Sequence, residues 1–223
     1  MRAFIVIAAC ALVAVLGAHA RSARSDTAGG PEITAAERAA TLDLYSVPLQ
    51  DRQWIQAAIA AARPEAQRLI AEVDGLVDVR VDLNRPGTIY LGVPSEVIGL
   101  TRLEGHRVTI ALDAGRLDGE RVIDRPMVVL HELGHVIDYL LVDDERMAQL
   151  DAAIPVGDCQ VMIADGHGCT SVEERFADTF AKWALRGSFS LAGSGYGIPT
   201  PPSLEDWGQP LGRLALELDA KSR

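Results

Sequence analysis

His131 and His135 stand four residues apart in the run His131-Glu132-Leu133-Gly134-His135. On an α-helix of about 3.6 residues per turn, that spacing puts both imidazoles on one face, one turn apart. Two such rings can reach a single ion at the about 2.0–2.1 Å of a metal–nitrogen bond. Glu132 follows the first ring and is placed to stand beside a coordinated water as an acid–base group, without ligating the ion itself. The flanks are Val128, Val129, Leu130, Val136, Ile137 and Leu140, which predict a buried helix. Unpartnered polar groups cost several kcal/mol in such surroundings. A cation, with zinc as the expected one, would answer that need.

Catalytic zinc usually takes three protein ligands and leaves one position for water. No third histidine follows at the extended spacing, because Asp138 occupies the position where a glycine would stand. The third ligand is therefore sought in Glu173-Glu174-Arg175-Phe176-Ala177-Asp178-Thr179-Phe180. Glu174 and Asp178 are four apart and share a helix face, whose apolar neighbours Phe176, Ala177, Phe180, Ala181 and Ala184 point to burial. Glu174 is the preferred ligand, with Glu173 as its rival. Asp178 is expected to accept a hydrogen bond from the far nitrogen of His131 or His135, fixing the ring tautomer. Asp138 lies one turn beyond His135 and is either another such outer carboxylate or a helix-surface residue.

His131 to His135 with Glu174 and Asp178 resembles the gluzincin metallopeptidases, which hold zinc by two histidines and a glutamate. The run Glu174-Arg175-Phe176-Ala177-Asp178-Thr179-Phe180 is most similar to the catalytic domain of anthrax-lethal-factor-like peptidases, where a glutamate ligand opens a helix of aromatic-Ala-acid-x-Phe pattern. The resemblance covers roughly residues 76–186 and is strongest in the two helices. It implies a zincin-like domain with one catalytic Zn2+, His131, His135 and Glu174 as ligands, and Glu132 as general base. That family carries a tyrosine seven residues before the glutamate, where it stabilises the oxyanion; here the position is His167. A histidine can donate to an oxyanion, so His167 is the expected stabiliser, and Tyr196 is the alternative.

These side chains need elements to carry them. Pro126 to Leu141 reads as the helix of the two histidines, with Asp124 as its cap. Ser171 to Leu185 reads as the Glu174 helix, opened by Ser171 with Glu174 three residues on. Residues 76–83 alternate through Val77, Val79 and Val81, and residues 107–112 through Val108, Ile110 and Leu112. With Thr88–Val93 as a third candidate, they predict a small mixed or antiparallel sheet packed on the histidine helix. An edge position for Arg107–Leu112 would let an extended peptide pair with its main chain. Trp54, Ile55, Ala58 and Ile59 mark a helix over 51–62, and Pro64 opens another with Leu69, Ile70 and Val73 buried. Thr34–Leu44 has helical character. Leu204–Leu218 reads as a last helix, interrupted early by Gly208, Pro210 and Gly212. The fold class is α+β.

The domain reading follows: an export signal over 1–20, a flexible linker over 21–31, a helical segment over 32–74 and the catalytic domain over 75–223. Arg2, the apolar run Phe4–Leu16 and Ala18-His19-Ala20 have the order of a signal peptide. A membrane anchor and a lipoprotein box at Cys10 are the alternatives; the apolar run is shorter than the ~18–20 residues a span needs. The helical segment is either a permanent part of the fold or a propeptide. Once the leader is removed two cysteines are left, Cys159 and Cys169. In an oxidising compartment they suggest a disulfide closing a short loop, against free thiols. The whole chain of 223 residues has 31 acidic and 21 basic residues, a net charge of -10. That balance speaks against nucleic acid, which draws on clustered Lys and Arg. The expectation is a monomeric, secreted or periplasmic zinc metallopeptidase acting on peptide or protein substrates, without a membrane after signal cleavage. A zinc amidase acting on cell-wall peptides and a non-catalytic zinc module stay open beside it. Glu132, which a structural site does not need, favours an enzyme.

Overall fold

The computed structural model describes residues 42, 44, 46–83, 97–117, 124–155, 171–188 and 198–222. Its elements run in the order α1 (Leu49–Ala61), α2 (Pro64–Glu72), β1 (Val77–Arg80), β2 (Gly99–Glu104), β3 (Arg107–Leu112), α3 (Ala114–Leu117), α4 (Arg125–Leu141), α5 (Asp144–Ala152), α6 (Val172–Ala184), α7 (Leu204–Trp207) and α8 (Gln209–Lys221). This is an α+β chain with a small mixed sheet. The expected signal and linker, the strand candidate Thr88–Val93, and Cys10, Cys159, Cys169, His167 and Tyr196 lie outside the described residues, and of the expected helical stretch Thr34–Leu44 only Leu42 and Leu44 are described, neither of them helical.

The sheet has the order β1-β3-β2. β3 pairs in parallel with β1, Val79 opposite Ile110, and antiparallel with β2, Thr101 opposite Ile110. The expectation of an edge position for Arg107–Leu112 is therefore wrong. β3 is the central strand, and its main chain is engaged on both sides. Its Val108, Ile110 and Leu112 are all buried, and a strand that can bury a full apolar face is drawn to the middle of a sheet. β2 is an outer strand among the described residues. A two-residue turn joins it to β3, with Gly105 at φ +67°, a left-handed conformation in which glycine has no Cβ to clash.

α4 is the spine of the molecule. Asp124 caps it, accepting a hydrogen bond from the Met127 N–H at 3.1 Å, and Pro126 fills its first turn. α6, α1, α2 and the sheet all pack on it, so its residues from Met127 to Ile137 are buried all round. Ser171 caps α6 through the Glu174 N–H. α1 and α2 share the same hydrophobic core as α4, α6 and α8, and the Arg63 N–H donates to the Ala184 carbonyl at 2.9 Å.

An aromatic group runs along α6 from Phe176 to Trp183. Phe176, Phe180, Trp183 and Trp207 stand with ring centroids 5.7 to 6.4 Å apart, and Trp207 Nε1 donates to the Leu150 carbonyl at 3.0 Å. The last helix is split at Gly208 into α7 and α8. A Cβ there would sit 1.8 Å from Trp183 Nε1, so the chain passes the indole only without a side chain. No helix among the described residues is long and apolar enough to cross a membrane.

Candidate metal centre

α4 and α6 meet through their smallest residues. A Cβ on Gly134 would lie 2.8 Å from the Ala177 Cα. The two backbones therefore come as close as side chains permit, and the residues on either side of that contact face each other. His131 and His135 flank Gly134, while Glu174 and Asp178 flank Ala177. The close crossing thus converts two helix patterns into one cluster.

In that cluster the Glu174 carboxylate spans both rings. Its Oε2 lies 3.1 Å from His131 Nε2 and its Oε1 3.5 Å from His135 Nε2. The imidazoles stand edge to face with centroids 4.9 Å apart. One ligand atom from each of the three residues falls within 4.8 Å of the others, and all three side chains are buried. A tetrahedral ion with bonds of about 2.0–2.1 Å would separate its ligands by about 3.3–3.4 Å, and the two distances from Glu174 to the rings are of that order. Glu173, by contrast, is exposed, while Glu174 is buried against the rings.

The charges make the same point. Glu132, Glu174 and Asp178 are carboxylates buried beside one ammonium, that of Lys182. With all three ionised the group is two charges negative, the deficit that a divalent cation with two neutral imidazoles cancels. Burial disfavours the His131 imidazolium, but the hydrogen bond and charge of Glu174 override it and raise the ring to about 9. Burial also works against the Glu174 carboxylate, yet the bonds from His131 and His135 hold it well below the usual range. Burial pushes Glu132 up, opposed by both rings and by Thr101. Two imidazole nitrogens and a carboxylate are a donor set that zinc accepts, and the buried residues fit such an ion.

The Glu132 carboxylate is held by β2. Thr101 Oγ1 donates to Glu132 Oε2 at 2.6 Å. The other oxygen, Oε1, lies against Gly99, where a Cβ would approach it to 2.2 Å. Neither residue was singled out from the sequence; a glycine and a threonine in a short strand carry no chemical signature.

Asp178 behaves in part differently from expectation. The bond from the far nitrogen of His135 is not made, since His135 Nδ1 has no hydrogen-bond partner among the described residues. Asp178 Oδ2 is instead 2.5 Å from Lys182 Nζ, and Lys182 also donates to the Ile198 carbonyl at 2.5 Å. An i,i+4 ammonium inside the same buried helix is a charge-assisted donor well placed for this carboxylate oxygen. The Asp178 charge still acts on His131. Lys182 did leave a sequence signal, being one of only two lysines in the chain and set on the buried face of α6. Asp138 is half-buried; burial raises its carboxyl to about 7, with His135 opposing and Glu173 adding to the shift. Tyr139 stacks on His135 with centroids 6.1 Å apart. No family model, no curated protein and no solved structure matches the chain.

Proposed function

We propose that the protein is an exported zinc metallopeptidase with a zincin-like catalytic domain, hydrolysing peptide bonds in peptide or protein substrates. One observation carries the reading: a buried His131–His135–Glu174 triad with a fourth group, Glu132, that is oriented by Thr101 and left outside the ligand set. A purely structural metal site has no use for that fourth carboxylate. His131, His135 and Glu174 would hold the ion. Zinc bound there would supply Lewis-acid polarisation of the scissile carbonyl and acidify water in its coordination sphere.

Glu132 is the base that takes the proton from the attacking water and returns it to the leaving amine. Burial raises its proton affinity, with both rings and Thr101 opposing, the direction a proton-accepting group requires. β2, the outer strand beside Glu132 among the described residues, takes the role first expected of β3 and offers its main chain to an extended substrate. His167, with Tyr196 as alternative, is proposed as the oxyanion donor. A Cys159–Cys169 disulfide and a secreted or periplasmic location belong to the same reading.

The test is metal content measured beside cleavage of casein and a peptide library for wild type, Glu174→Ala and Glu132→Gln. The expected result is one zinc per chain and cleavage in wild type, loss of zinc in Glu174→Ala, and zinc without cleavage in Glu132→Gln. Zinc binding with no cleavage of any peptide, cell-wall peptides included, would leave a non-catalytic zinc module as the correct description.

A further inference from the structure

We propose that Gly99 and Thr101 of β2 form a cradle that sets the position of the Glu132 carboxylate, making Thr101 a positioning residue for the site. This rests on the zinc-peptidase reading and goes beyond it, because the helix that carries the motif does not by itself fix where Glu132 points. A glutamate side chain has three rotatable bonds and loses appreciable rotamer freedom when held. Something other than α4 must hold it.

The composition of the strand faces identifies what does. β3 fills its core face with Val108, Ile110 and Leu112, all buried. The residues opposite them on β2 are Leu103, Thr101 and Gly99. A strand built only for packing would carry branched apolar residues at the two inner positions, as β3 does. Instead Thr101, itself buried, spends its hydroxyl on Glu132 Oε2 at 2.6 Å, and Gly99 supplies the absence of a side chain that leaves room for Oε1. Residues two apart in a strand share a face, so the two act together: one pins an oxygen while the other makes space for its twin. Leu100, between them, belongs to the opposite face and packs with Leu83, Val97 and Ala111. Thr101 Oγ1 is also 3.3 Å from the Glu132 carbonyl oxygen, which keeps the hydroxyl against this one residue of α4.

The experiment uses the full chain loaded with cobalt(II) in place of zinc, and acetohydroxamate as the probe. A hydroxamate chelates the metal and bonds to a carboxylate standing beside it, so its affinity reports where that carboxylate is, whether or not a peptide substrate is known. Affinity is read from the visible absorption of the cobalt, with metal stoichiometry and thermal midpoint as controls. Glu132→Gln weakens the probe and serves as the benchmark.

Thr101→Val replaces the hydroxyl by a methyl group that cannot donate, and Gly99→Ala displaces the carboxylate without deleting any hydrogen-bonding group. Each is expected to weaken the probe about tenfold with full metal content, as loss of a hydrogen bond to a charged group implies. Thr101→Ser returns it to within about twofold of wild type. Val and Ala variants that bind like wild type, beside a weakened Glu132→Gln, overturn the cradle alone. If Thr101→Val fails to fold, Gly99→Ala decides the matter, because the clash it introduces is with the end of a flexible side chain. Failure of the wild-type protein to take up cobalt or zinc overturns the zinc reading, and the cradle with it.

Discussion

Zinc uptake should depend steeply on pH, because the ion must displace a proton that Glu174 holds on His131. The ring is raised to about 9 in the metal-free protein, from an ordinary value of about 6.5. A metal ligand must be deprotonated, so one proton leaves for each zinc bound below that pH. The affinity then grows nearly tenfold per pH unit up to pH 8 and flattens near 9. From pH 7 to pH 9 the gain is about fifty-fold. Competition with a chromophoric chelator at pH 7, 8 and 9, corrected for the chelator's own protonation, measures it directly.

The same shift fixes how metal-free stability varies. The folded pKa of His131 lies above the unfolded one, so its pairing with Glu174 is fully present below about pH 6.5 and is lost as pH rises through 9. The whole effect is about 3 kcal/mol, readable as a falling urea midpoint over that window with the chelator present. Glu174→Gln removes the charge that retains the proton and should abolish the window. A zinc affinity that is flat between pH 7 and pH 9 would show that His131 is already neutral and that the cluster is arranged differently.

Other substitutions probe the frame. Gly134→Ala drives a methyl against the Ala177 backbone and should cost about 1–3 kcal/mol as overpacking, with zinc affinity falling as α4 and α6 are forced apart; urea denaturation and metal titration check both. Lys182→Met leaves the buried Asp178 carboxylate without its ammonium and should cost about 3–5 kcal/mol in the metal-free protein, a loss that added zinc partly recovers, as seen in thermal midpoints with and without the ion. Gly208→Ala, facing Trp183, should lower the thermal midpoint while leaving zinc stoichiometry at the wild-type value. Asp124→Ala removes the α4 cap and should cost about 1 kcal/mol by urea denaturation.

The residues with chemistry were legible because helix periodicity is rigid. The spacings His131–His135 and Glu174–Asp178 fix a shared face wherever the helices go, and Asp124 and Ser171 mark their starts. The sheet was less legible. Val79 and Ile110 announced their strands by alternation, but Gly99-Leu100-Thr101-Arg102-Leu103-Glu104 mixes polar and apolar residues on both faces, since part of its inner face serves Glu132 in place of the core. Its pairing with β3, and hence the central place of β3, is a tertiary fact that no local pattern carries. α5 was missed for a related reason: only Leu150 is buried along it, so it has no apolar stripe to show. The Lys182–Asp178 pair could have been anticipated from an i,i+4 spacing; the Thr101–Glu132 bond, between residues 31 apart, could not.

The meeting of α4 and α6 has a mechanical consequence. His131 and Glu174 are 43 positions apart in the chain, so an ion gripped by both would act as a reversible cross-link tying the ends of a long loop. Loop-closing ties of that length restrict the unfolded chain strongly. A chelator would then act on this molecule as a reductant acts on a disulfide protein, loosening the two helices along the seam that Gly134 and Ala177 zip shut.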